Sequence, residues 1–231
     1  MRQSKPMSVF LPVRKGSQRV RNKNTRVFAH HLGGLLELKL MQLLEVKGVG
    51  EIVLSSNDDA CLDVAYEFSK KYGHLKIVRR PDNLGSSETN LIDLVQYAAT
   101  ICQYENILWT HVTSPFFDAD NYDEAILQYY EAKNTGYDSL MSVKCYKNFL
   151  WSKNKNDIVN RVTAEKWPQT QELEELYEID NAVFITSKSI YSEQVDRIGI
   201  KPKLLVQNGI KTLDVDWEDD FLLAEMIYKN L

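Results

Sequence analysis

The chain has 231 residues, with 28 basic and 32 acidic side chains, a net charge of −4 and a hydrophobic fraction of 44%. These values indicate one globular domain with a sizeable core, and the acidic balance disfavours nucleic-acid binding. Cys61, Cys102 and Cys145 lie far apart without metal-like spacing, which is typical of reduced thiols in a cytoplasmic protein. The polar first residues lack a signal core, and no run approaches the ~18 apolar residues of a membrane span. We therefore expect a cytoplasmic protein with no membrane partner.

The predicted elements alternate between strands and helices along most of the chain. Short apolar or β-branched runs predict strands at Val9–Leu11, Glu51–Ser55, Leu75–Val78, Asn106–Val112, Ser139–Val143, Asn181–Ile185 and Lys203–Val206. Apolar periodicity and capping residues predict helices at Leu35–Val46, Asp58–Tyr72, Leu91–Tyr104, Asp118–Lys133, near Ser189, and at Glu218–Tyr228. This alternation predicts a three-layer α/β/α fold with a mostly parallel sheet.

One segment, Lys144–Glu178, breaks the alternation. It is polar, rich in Lys, Asn and Glu, and carries Trp151 and Trp167 without a clear helical period. Aromatic side chains in a polar segment contribute apolar area at a small entropic cost, which suits a substrate lid or a subunit contact. A surface excursion with a few anchoring aromatic residues explains the segment equally well. We expect residues 1–231 to form one domain, with this segment as a dimerisation or lid excursion.

The most informative stretch follows the first strand. Pro12 ends an apolar run, and Arg14–Asn24, the basic loop, carries a Gly-Ser step at Gly16 and Ser17 among several Arg and Lys side chains. Glycine allows close backbone approach to a ligand, backbone N–H groups bind oxygens, and Arg and Lys supply positive charge. The basic loop therefore has the composition of a polyphosphate site, although most basic loops are simply solvated surface.

A pair of carboxylates lies near the end of the chain, in Asp214-Val215-Asp216. In an extended segment both aspartates point to one side and Val215 to the other. Such a pair suits a hard divalent cation such as Mg²⁺, which takes few protein oxygens and completes its shell with phosphate and water. Alternatively, the pair is exposed and Asp216 is the N-cap of the last helix. Together with the basic loop, the pair points to nucleoside triphosphate chemistry.

Several common nucleotide and hydrolase signatures are missing where the fold would need them. The basic loop has no G-x-x-x-x-G-K-[ST], no G-x-G-x-x-G follows the first strand, and no Gly-x-Ser-x-Gly elbow stands out. His30 and His31 are adjacent, which makes them poor joint metal ligands, and we expect both on the surface. P-loop, dinucleotide and serine-hydrolase chemistry are therefore disfavoured.

Taken together, the motifs resemble those of the acylneuraminate cytidylyltransferase (CMP-sialic acid synthetase) family. LPVRKGSQRVRNKN is similar to the family signature P-A-R-x-G-S-K-x-x-x-x-K-N, and DVDWEDDFLLAE is similar to D-I-D-T-x-E-D-x-x-x-A-E. RRPDNL, THVTSPF and NAVFI resemble R-P-x-x-L, Q-P-T-S-P-L and N-G-A-I-Y-I in the family's order. The resemblance covers nearly the whole chain. It implies a homodimeric, Rossmann-like nucleotidyltransferase that joins CTP to an α-keto sugar acid, giving a CMP-sugar and pyrophosphate.

The resemblance also implies the site residues. The nucleotide-binding positions are Arg14, Gly16, Ser17, Lys23, Asn24, Arg80 and, where the spacing is looser, Asn90. The substrate-binding positions are His111, Thr113, Asp180 and Phe184. Asp214 and Asp216 match the family's metal pair, with Mg²⁺ as the expected ion. The catalytic candidates are Arg14, Lys23 and Asp216, with Lys23 offsetting charge on the leaving pyrophosphate and no general base assigned.

Departures from the family pattern fall mostly on the sugar-binding positions. The first Lys of the signature is Gln18, and the neighbouring Arg19 would have to replace its charge. The sugar-facing Gln is His111, which changes the oxygens that the pocket can recognise. The other departures are Phe117, Asp180, Asn181 and Phe184. Because the triphosphate and metal positions match, we expect CTP use to be retained, while legionaminic, pseudaminic and deoxy-octulosonic acids all stay open as substrates.

Other functions stay open from the sequence. The changes at Gln18 and His111 also fit a non-catalytic nucleotide-binding protein on the same fold, which would bind CTP without turnover. A further alternative is a nucleotidyltransferase for a 3-deoxy-octulosonic or other acid, or one that uses another nucleotide. Competition between CTP, UTP and ATP would separate the last case.

Overall fold

A seven-stranded sheet forms the centre of the molecule in a computed structural model that describes residues 6–86 and 88–231. The strands are β1 Met7–Val13, β2 Val49–Ser56, β3 Leu75–Arg79, β4 Asn106–Trp109, β5 Ser139–Tyr146, β6 Trp151–Ser152, β7 Asp157–Ile158, β8 Leu176–Ser187 and β9 Pro202–Gln207. The helices are α1 Gly34–Leu44, α2 Asp59–Ser69, α3 Leu91–Ile101, α4 Ala119–Lys133, α5 Lys188–Glu193 and α6 Glu218–Tyr228. Strands β6 and β7 form a separate hairpin.

The order of strands in the main sheet is β3-β2-β1-β4-β8-β5-β9. All of them run parallel except β8, which is antiparallel to both of its neighbours. The chain moves outward in one direction from β1 to β3 and then returns to place β4 on the other side of β1. Ligands of open α/β sheets bind outside the carboxyl ends of the strands at such a reversal. The basic loop follows β1 and the segment from Thr110 follows β4, so both reach that point.

Helices cover both faces of the sheet because successive residues of a strand point to opposite sides. On one face, Val9 and Leu11 pack with residues of α1, α2, α4 and α6 in the larger core cluster. On the other face, Phe10 meets Trp109 edge to face, with 4.7 Å between ring centroids, and both pack with α3 and α5. The predicted three-layer α/β/α architecture is confirmed. Within the described residues, no helix has the length and apolar character needed to cross a bilayer.

The segment Lys144–Glu178, predicted to be irregular, is partly strand. Its first residues extend β5 and its last residues begin β8, so both ends pair in the main sheet. Between them lie the β6–β7 hairpin and a 3₁₀ turn at Thr170–Glu172. The buried Asn160 ties this part together, since its side-chain amide bonds to the backbones of Asn148, Leu150 and Glu174. Polar side chains here satisfy backbone groups, and such contacts leave no apolar period in the sequence.

A bulge interrupts β8 close to the predicted substrate positions. Asn181 adopts a left-handed conformation with φ 59°, and the register between β5 and β8 shifts at this point. The hydroxyl of Ser142 on β5 donates to the carboxylate of Asp180 and accepts from the N–H of Val183 at 2.9 Å. Bulges redirect side chains, and this one turns Asn181 towards the carboxyl ends of the strands.

The expectation that both adjacent histidines lie on the surface is wrong for His31. This residue is 3% exposed, and its Nε2 lies 3.3 Å from the hydroxyl of Tyr228 on α6. Its ring centroid lies 4.2 Å from that of His30. Adjacent side chains point apart in extended chain, whereas Phe28 and His31 here pair across a tight turn. The turn directs His31 inward beneath α6.

Candidate nucleotide and sugar-acid site

A cavity of about 470 Å³ opens at the carboxyl ends of the parallel strands, a volume typical of small-ligand sites. Three segments form its wall: the basic loop, the chain from Arg80 to Leu94, and the chain from Trp109 to Thr113. The lining residues singled out by the sequence are Arg14, Ser17, Gln18, Arg19, Lys23, Asn24, Arg80, His111 and Thr113. Motifs that are separate in the sequence thus meet at one edge of the sheet.

Internal contacts hold the basic loop in shape. Gly16 has φ +80°, a conformation that other residues rarely adopt, while an added Cβ would meet nothing within 4 Å. Backbone direction, rather than space, therefore requires glycine at this position. The side chain of Asn24 donates to the carbonyl of Arg14 at 3.2 Å, and the carbonyl of Asn24 accepts from the N–H of Leu36 at 2.9 Å. Asn24 thus ties the two ends of the loop to each other and to α1.

The aspartate pair lies beside the cavity because the residue between them is anchored. Val215 is fully buried in the larger core cluster, and its N–H donates to the carbonyl of Thr113 at 2.8 Å. Thr113 belongs to the cavity wall. With Val215 fixed in the core, Asp214 and Asp216 are held at the edge where the basic loop and the segment after β4 meet.

Asp216 does not cap the last helix, so the alternative role considered from the sequence is wrong. The N-cap position is Trp217, and the carboxylate of Asp220 accepts from the N–H groups of Asp216 and Trp217 at 3.1 and 2.8 Å. The Asp216 carboxylate instead faces the basic loop. Its Oδ1 lies 3.1 Å from Arg19 and 3.4 Å from Lys23. The two sequence-predicted motifs are therefore in direct contact.

The two loop cations that contact Asp216 differ in their solvent exposure and in their number of protein contacts. The side chain of Lys23 is 12% exposed, and its Nζ also donates to the carbonyl of Val215 at 2.8 Å. The guanidinium of Arg19 is 47% exposed and lies 5.0 Å from the ring centroid of Trp217. Solvent-exposed ion pairs contribute about 1 kcal/mol or less. Arg19 can therefore turn towards a ligand at small cost, whereas Lys23 is pre-positioned.

Asp214 is the more buried member of the pair. Burial raises the pKa of its carboxyl; the charge of Asp216 adds to this shift, and Thr113, Lys23 and Asn181 oppose it. Its Oδ2 lies 3.5 Å from Nδ2 of Asn181, whereas its buried Oδ1 has no hydrogen-bond partner among the described residues. An unsatisfied carboxylate oxygen beside a second carboxylate fits a hard divalent cation.

The protein offers such an ion few ligands. Within residues 6–86 and 88–231, no group of three or more His, Cys, Asp or Glu side chains is arranged to hold a metal. Asp214 and Asp216 thus fit a cation that draws most of its shell from phosphate and water, as Mg²⁺ does, better than one that needs a closed protein cage.

At the β3 side of the cavity, Arg80 is a structural cation with its head near the ligand space. It is 3% exposed and donates to the side chain and carbonyl of Ser55 and to the carbonyl of Leu84. Burial lowers its pKa to about 10, so it remains protonated. Asn90 lies outside the cavity lining; its Oδ1 accepts from the N–H of Ile92 at 3.1 Å and caps α3. Its contact with a nucleotide stays a prediction.

His111 is a neutral histidine with a defined tautomer. Its Nε2 lies 3.0 Å from the indole nitrogen of Trp109 and 3.2 Å from a terminal nitrogen of Arg197. Indole and guanidinium groups only donate, so Nε2 accepts from both and the ring proton is on Nδ1. Burial, with the charges of Arg197, Lys23 and Arg80, lowers the pKa of His111 to about 3. The ring therefore presents one fixed N–H donor.

Arg197 is the residue of this region that the sequence did not reveal. Its guanidinium carbon lies 3.9 Å from the ring centroid of Phe184 and 5.3 Å from that of Trp109. A terminal nitrogen lies 3.5 Å from Oδ1 of Asn181. Arg197 belongs to the irregular chain after α5, where neither a motif nor a period marks it. Only the packing of that chain against β4 and β8 brings it to His111.

Asp180 and Phe184, both predicted to bind substrate, lie behind the cavity wall. Asp180 is 6% exposed; its Oδ1 accepts from Ser142, and its Oδ2 is buried without a partner in the described part of the chain. Burial raises the pKa of this carboxyl. Phe184 is fully buried beneath Arg197. Asp180 thus supports the bulge that aims Asn181, and direct contact of either residue with substrate stays a prediction.

A buried lysine fixes the turn between β4 and α4. Lys39 is fully buried, and its Nζ donates to the carbonyls of Ser114 and Phe117 and to the hydroxyl of Tyr122. That hydroxyl bonds to Oγ1 of Thr110 at 2.6 Å, and Thr110 donates to a backbone carbonyl of the β8 bulge at 2.7 Å. Each hydroxyl has one proton, so the chain of donors runs from α1 to β8. It fixes the residues after β4 relative to the bulge.

Two curated proteins resemble the chain along almost its full length, although no protein-family model matches it. It is 21% identical to the N-acylneuraminate cytidylyltransferase of Escherichia coli O18:K1:H7, over 96% of this chain and 52% of that protein. It is 25% identical to the pseudaminic acid cytidylyltransferase of Campylobacter jejuni, over 95% of each. The chain thus spans about half the length of the first protein and nearly all of the second.

Solved structures share the fold at low sequence identity. One is the 4-diphosphocytidyl-2C-methyl-D-erythritol synthase of Anaerococcus prevotii, with a TM-score of 0.66 and 14% identity over 98% of this chain and 99% of the other. Another is a CMP:2-keto-3-deoxy-manno-octonic acid synthetase in complex with CTP, with a TM-score of 0.67 and 13% identity over 99% and 100%. At such identities, these likenesses support the fold alone.

Proposed function

We propose, from the premise that this chain belongs to the cytidylyltransferase family, that it activates an α-keto sugar acid with CTP. The products are a CMP-sugar and pyrophosphate. One observation carries the proposal: Lys23 and Arg19 of the basic loop contact Asp216 from the opposite end of the chain. Cations for a triphosphate and carboxylates for a divalent ion thus lie side by side, as nucleotidyl transfer needs. Both curated relatives carry the names of cytidylyltransferases, which disfavours a non-catalytic binding protein.

The basic loop holds the triphosphate. Arg14, Ser17 and the backbone at Gly16 bind phosphate oxygens, and Asn24 keeps the loop closed around them. Lys23 is held in place by its hydrogen bond to the carbonyl of Val215, and its ammonium group contacts the leaving pyrophosphate. Charge grows on the leaving group in the transition state, so a pre-positioned and poorly solvated ammonium stabilises that state more than the ground state.

Asp214 and Asp216 are the residues that would hold Mg²⁺, because Oδ1 of Asp214 is buried without a partner and Asp216 faces the phosphate-binding loop. When bound, the ion screens phosphate charge and helps to orient the α-phosphate. In the free protein, Arg19 and Lys23 neutralise Asp216 instead. The Asp216 carboxylate thus keeps both loop cations at the site.

The sugar acid occupies the His111 side of the cavity. The Nδ1–H of His111 donates to a sugar oxygen in the position where the resembling family has a Gln. Arg80, on the β3 side, lies towards the cytosine. With the nucleotide between these walls, the anomeric hydroxyl approaches the α-phosphorus opposite the departing pyrophosphate, the in-line arrangement that phosphoryl transfer requires.

A pyrophosphate-release assay tests this function. CTP and Mg²⁺ are combined with N-acetylneuraminic, pseudaminic, legionaminic or 3-deoxy-octulosonic acid, and UTP and ATP serve as competitors. We expect acid-dependent release with CTP, abolished in Asp216→Ala and unchanged in Arg79→Gln, an exposed arginine outside the cavity. Release that UTP or ATP supports better than CTP would contradict the nucleotide. CTP binding without release for any acid would favour the non-catalytic alternative.

We further propose that the protein is a cytoplasmic homodimer, paired through the Lys144–Glu178 excursion. Trp151 and Trp167 are 55% and 62% exposed, and Phe149 packs on Trp167 with 5.5 Å between ring centroids. Exposed aromatic clusters of this kind mark protein contacts. Light scattering should give twice the chain mass for the wild type and the chain mass for the double variant Trp151→Lys, Trp167→Lys. A wild type that is monomeric at micromolar concentration would rule out the dimer.

A further inference from the structure

We infer that Arg197 binds the carboxylate of the sugar acid and so selects an acid over a neutral sugar. The inference rests on the proposed function and adds a specificity-determining residue to it. It starts from the bonding state of Arg197, which differs from that of the other cations of the site.

Two other shielded cations of the site, Lys23 and Arg80, are bonded more fully than Arg197. Lys23 has the carboxylate of Asp216 and a backbone carbonyl, and Arg80 has Ser55 and a further carbonyl. Across residues 6–86 and 88–231, no acidic side chain lies within ion-pairing distance of Arg197; its acceptors are the ring nitrogen of His111 and the amide oxygen of Asn181. Within the same residues Arg80 has no acidic partner either, but it has three acceptors, whereas the partly exposed Arg197 has two, one of them at 3.5 Å. A shielded guanidinium with so few acceptors gains from a ligand that supplies an anion.

The guanidinium of Arg197 has more N–H donors than its two contacts use. A guanidinium has five N–H donors in one plane. Arg197 uses one terminal nitrogen at 3.2 Å to His111 and the other at 3.5 Å to Asn181, a distance at the limit of a hydrogen bond. Phe184 stacks on its face at 3.9 Å, so further partners approach in the plane. A planar carboxylate is the anion that fits this edge best.

The position of Arg197 relative to the reaction is also suitable. Its contacts His111 and Trp109 are both part of the cavity wall. Its other contact, Asn181, reaches Asp214 with its Nδ2 at 3.5 Å. In an α-keto sugar acid, the carboxylate and the attacking hydroxyl share the anomeric carbon. A residue that holds the carboxylate between the sugar wall and the aspartate pair therefore also orients the nucleophile.

The test combines a change in the protein with a change in the ligand. Wild type and Arg197→Gln are assayed on the acid that the wild type uses fastest and on its carboxamide, with Arg79→Gln as the matched control. We expect Arg197→Gln to raise KM for the acid about a hundredfold, the usual loss when one member of a shielded charge pair is removed. KM for CTP stays within about twofold. The wild type prefers the acid to the carboxamide, and Arg197→Gln loses that preference.

A merely structural role of Arg197 predicts a different pattern. If Arg197 only supports His111, Arg197→Gln weakens acid and carboxamide equally and keeps the wild-type preference, which would overturn the inference. Should Arg197→Gln fail to fold, Arg197→Lys is the second variant. It keeps the charge but loses the planar set of N–H donors that can bind both oxygens of a carboxylate. It should raise KM for the acid about tenfold and reduce the preference; unchanged KM and preference would contradict the inference.

The failure of the proposed function is separable from the failure of this inference. Calorimetric titration of each acid into the wild type reports binding without turnover. An acid that binds the wild type but not Arg197→Gln supports the carboxylate site even if no pyrophosphate is released. Turnover in the wild type with an unchanged acid preference in Arg197→Gln overturns the carboxylate site alone. Neither binding nor turnover with any acid would overturn both.

Discussion

The two ends of the cavity are built in opposite ways. At the triphosphate end, formed by the basic loop with Asp214 and Asp216, opposite charges face each other and are partly exposed. At the sugar end, His111 lines the cavity, and behind it the partly exposed Arg197 packs on aromatic rings and meets neutral acceptors, His111 and Asn181. Two cations of the first end are paired with Asp216 before any ligand arrives, whereas Arg197 at the second end has no acidic partner among the described residues. The contrast suggests that the nucleotide end supplies catalysis and the sugar end supplies selectivity.

Removal of the carboxylate that links the loop to the metal position should have the largest effect. Asp216→Ala should lower kcat by about 10³-fold or more, because a divalent ion then loses a ligand and the loop cations lose their anchor. Steady-state pyrophosphate release measures kcat, with circular dichroism as the check on folding. Activity within tenfold of the wild type would mean that Asp216 acts only as a surface partner of Arg19.

Removal of the pre-positioned cation should have the next largest effect. Lys23→Met keeps the length of the side chain but loses the charge that faces the leaving pyrophosphate, so kcat should fall about 10²- to 10³-fold. The exposed Arg19→Met should have a smaller effect than Lys23→Met, since its pair with Asp216 is screened. If the two variants were equally impaired, the distinction between a fixed and a mobile cation would be wrong.

The difference between the ends also decides what the sequence can predict. The basic loop and the aspartate pair depend on residue types at short spacing, and both appear in the sequence as local motifs. The α6 helix has the predicted bounds, Glu218–Tyr228, because its cap and apolar residues are local as well. The contact between Lys23 and Asp216 depends on the strand order, which the alternation of elements alone did not specify.

The sugar end depends on features that leave little local signal. Asn181 points towards Asp214 only because a bulge in β8 gives it a positive φ, and Arg197 reaches His111 only through the fold of an irregular segment. The sequence marked Asp180 and Phe184 at this end; both are buried, and their contact with substrate stays a prediction. A strand motif predicts which residues are adjacent, and a bulge changes which of them face the ligand.

A change at His111 tests the sugar end alone. His111→Leu should raise KM for the sugar acid about tenfold or more and leave KM for CTP unchanged, because it removes the Nδ1–H donor and the nitrogen that accepts from Trp109 and Arg197. His111→Gln restores an amide and should lie closer to the wild type. Because the pKa of His111 is about 3, its ring stays neutral between pH 5 and 8. The pH dependence of kcat/KM in this range should therefore have the same shape in the wild type and in His111→Gln. An ionisation that is present in the wild type and lost in His111→Gln would contradict the neutral ring.

The smallest effect on catalysis should come from the buried lysine that supports both ends. Lys39→Met leaves two carbonyls and the Tyr122 hydroxyl without their donor, and should lower the free energy of unfolding by about 1–3 kcal/mol.

Burial lowers the pKa of Lys39 to about 7, so the unfolded chain holds more protons than the folded protein between that pH and the ordinary value near 10.4. The free energy of unfolding should therefore rise with pH across this window, and Lys39→Met should remove that part of the slope. An unchanged slope in denaturant titrations would show that Lys39 does not titrate in this range.

The fate of the α-phosphate distinguishes nucleotidyl transfer from every other reaction of CTP with a sugar acid. CTP labelled at the α-phosphate or at the γ-phosphate is incubated with Mg²⁺, the wild type and each sugar acid in turn, and the products are separated and identified by mass spectrometry. We expect the α-label to appear in a CMP-sugar with at least one acid and the γ-label to appear only in pyrophosphate. No α-labelled sugar product with any acid, or transfer of the γ-label to the sugar, would contradict this expectation.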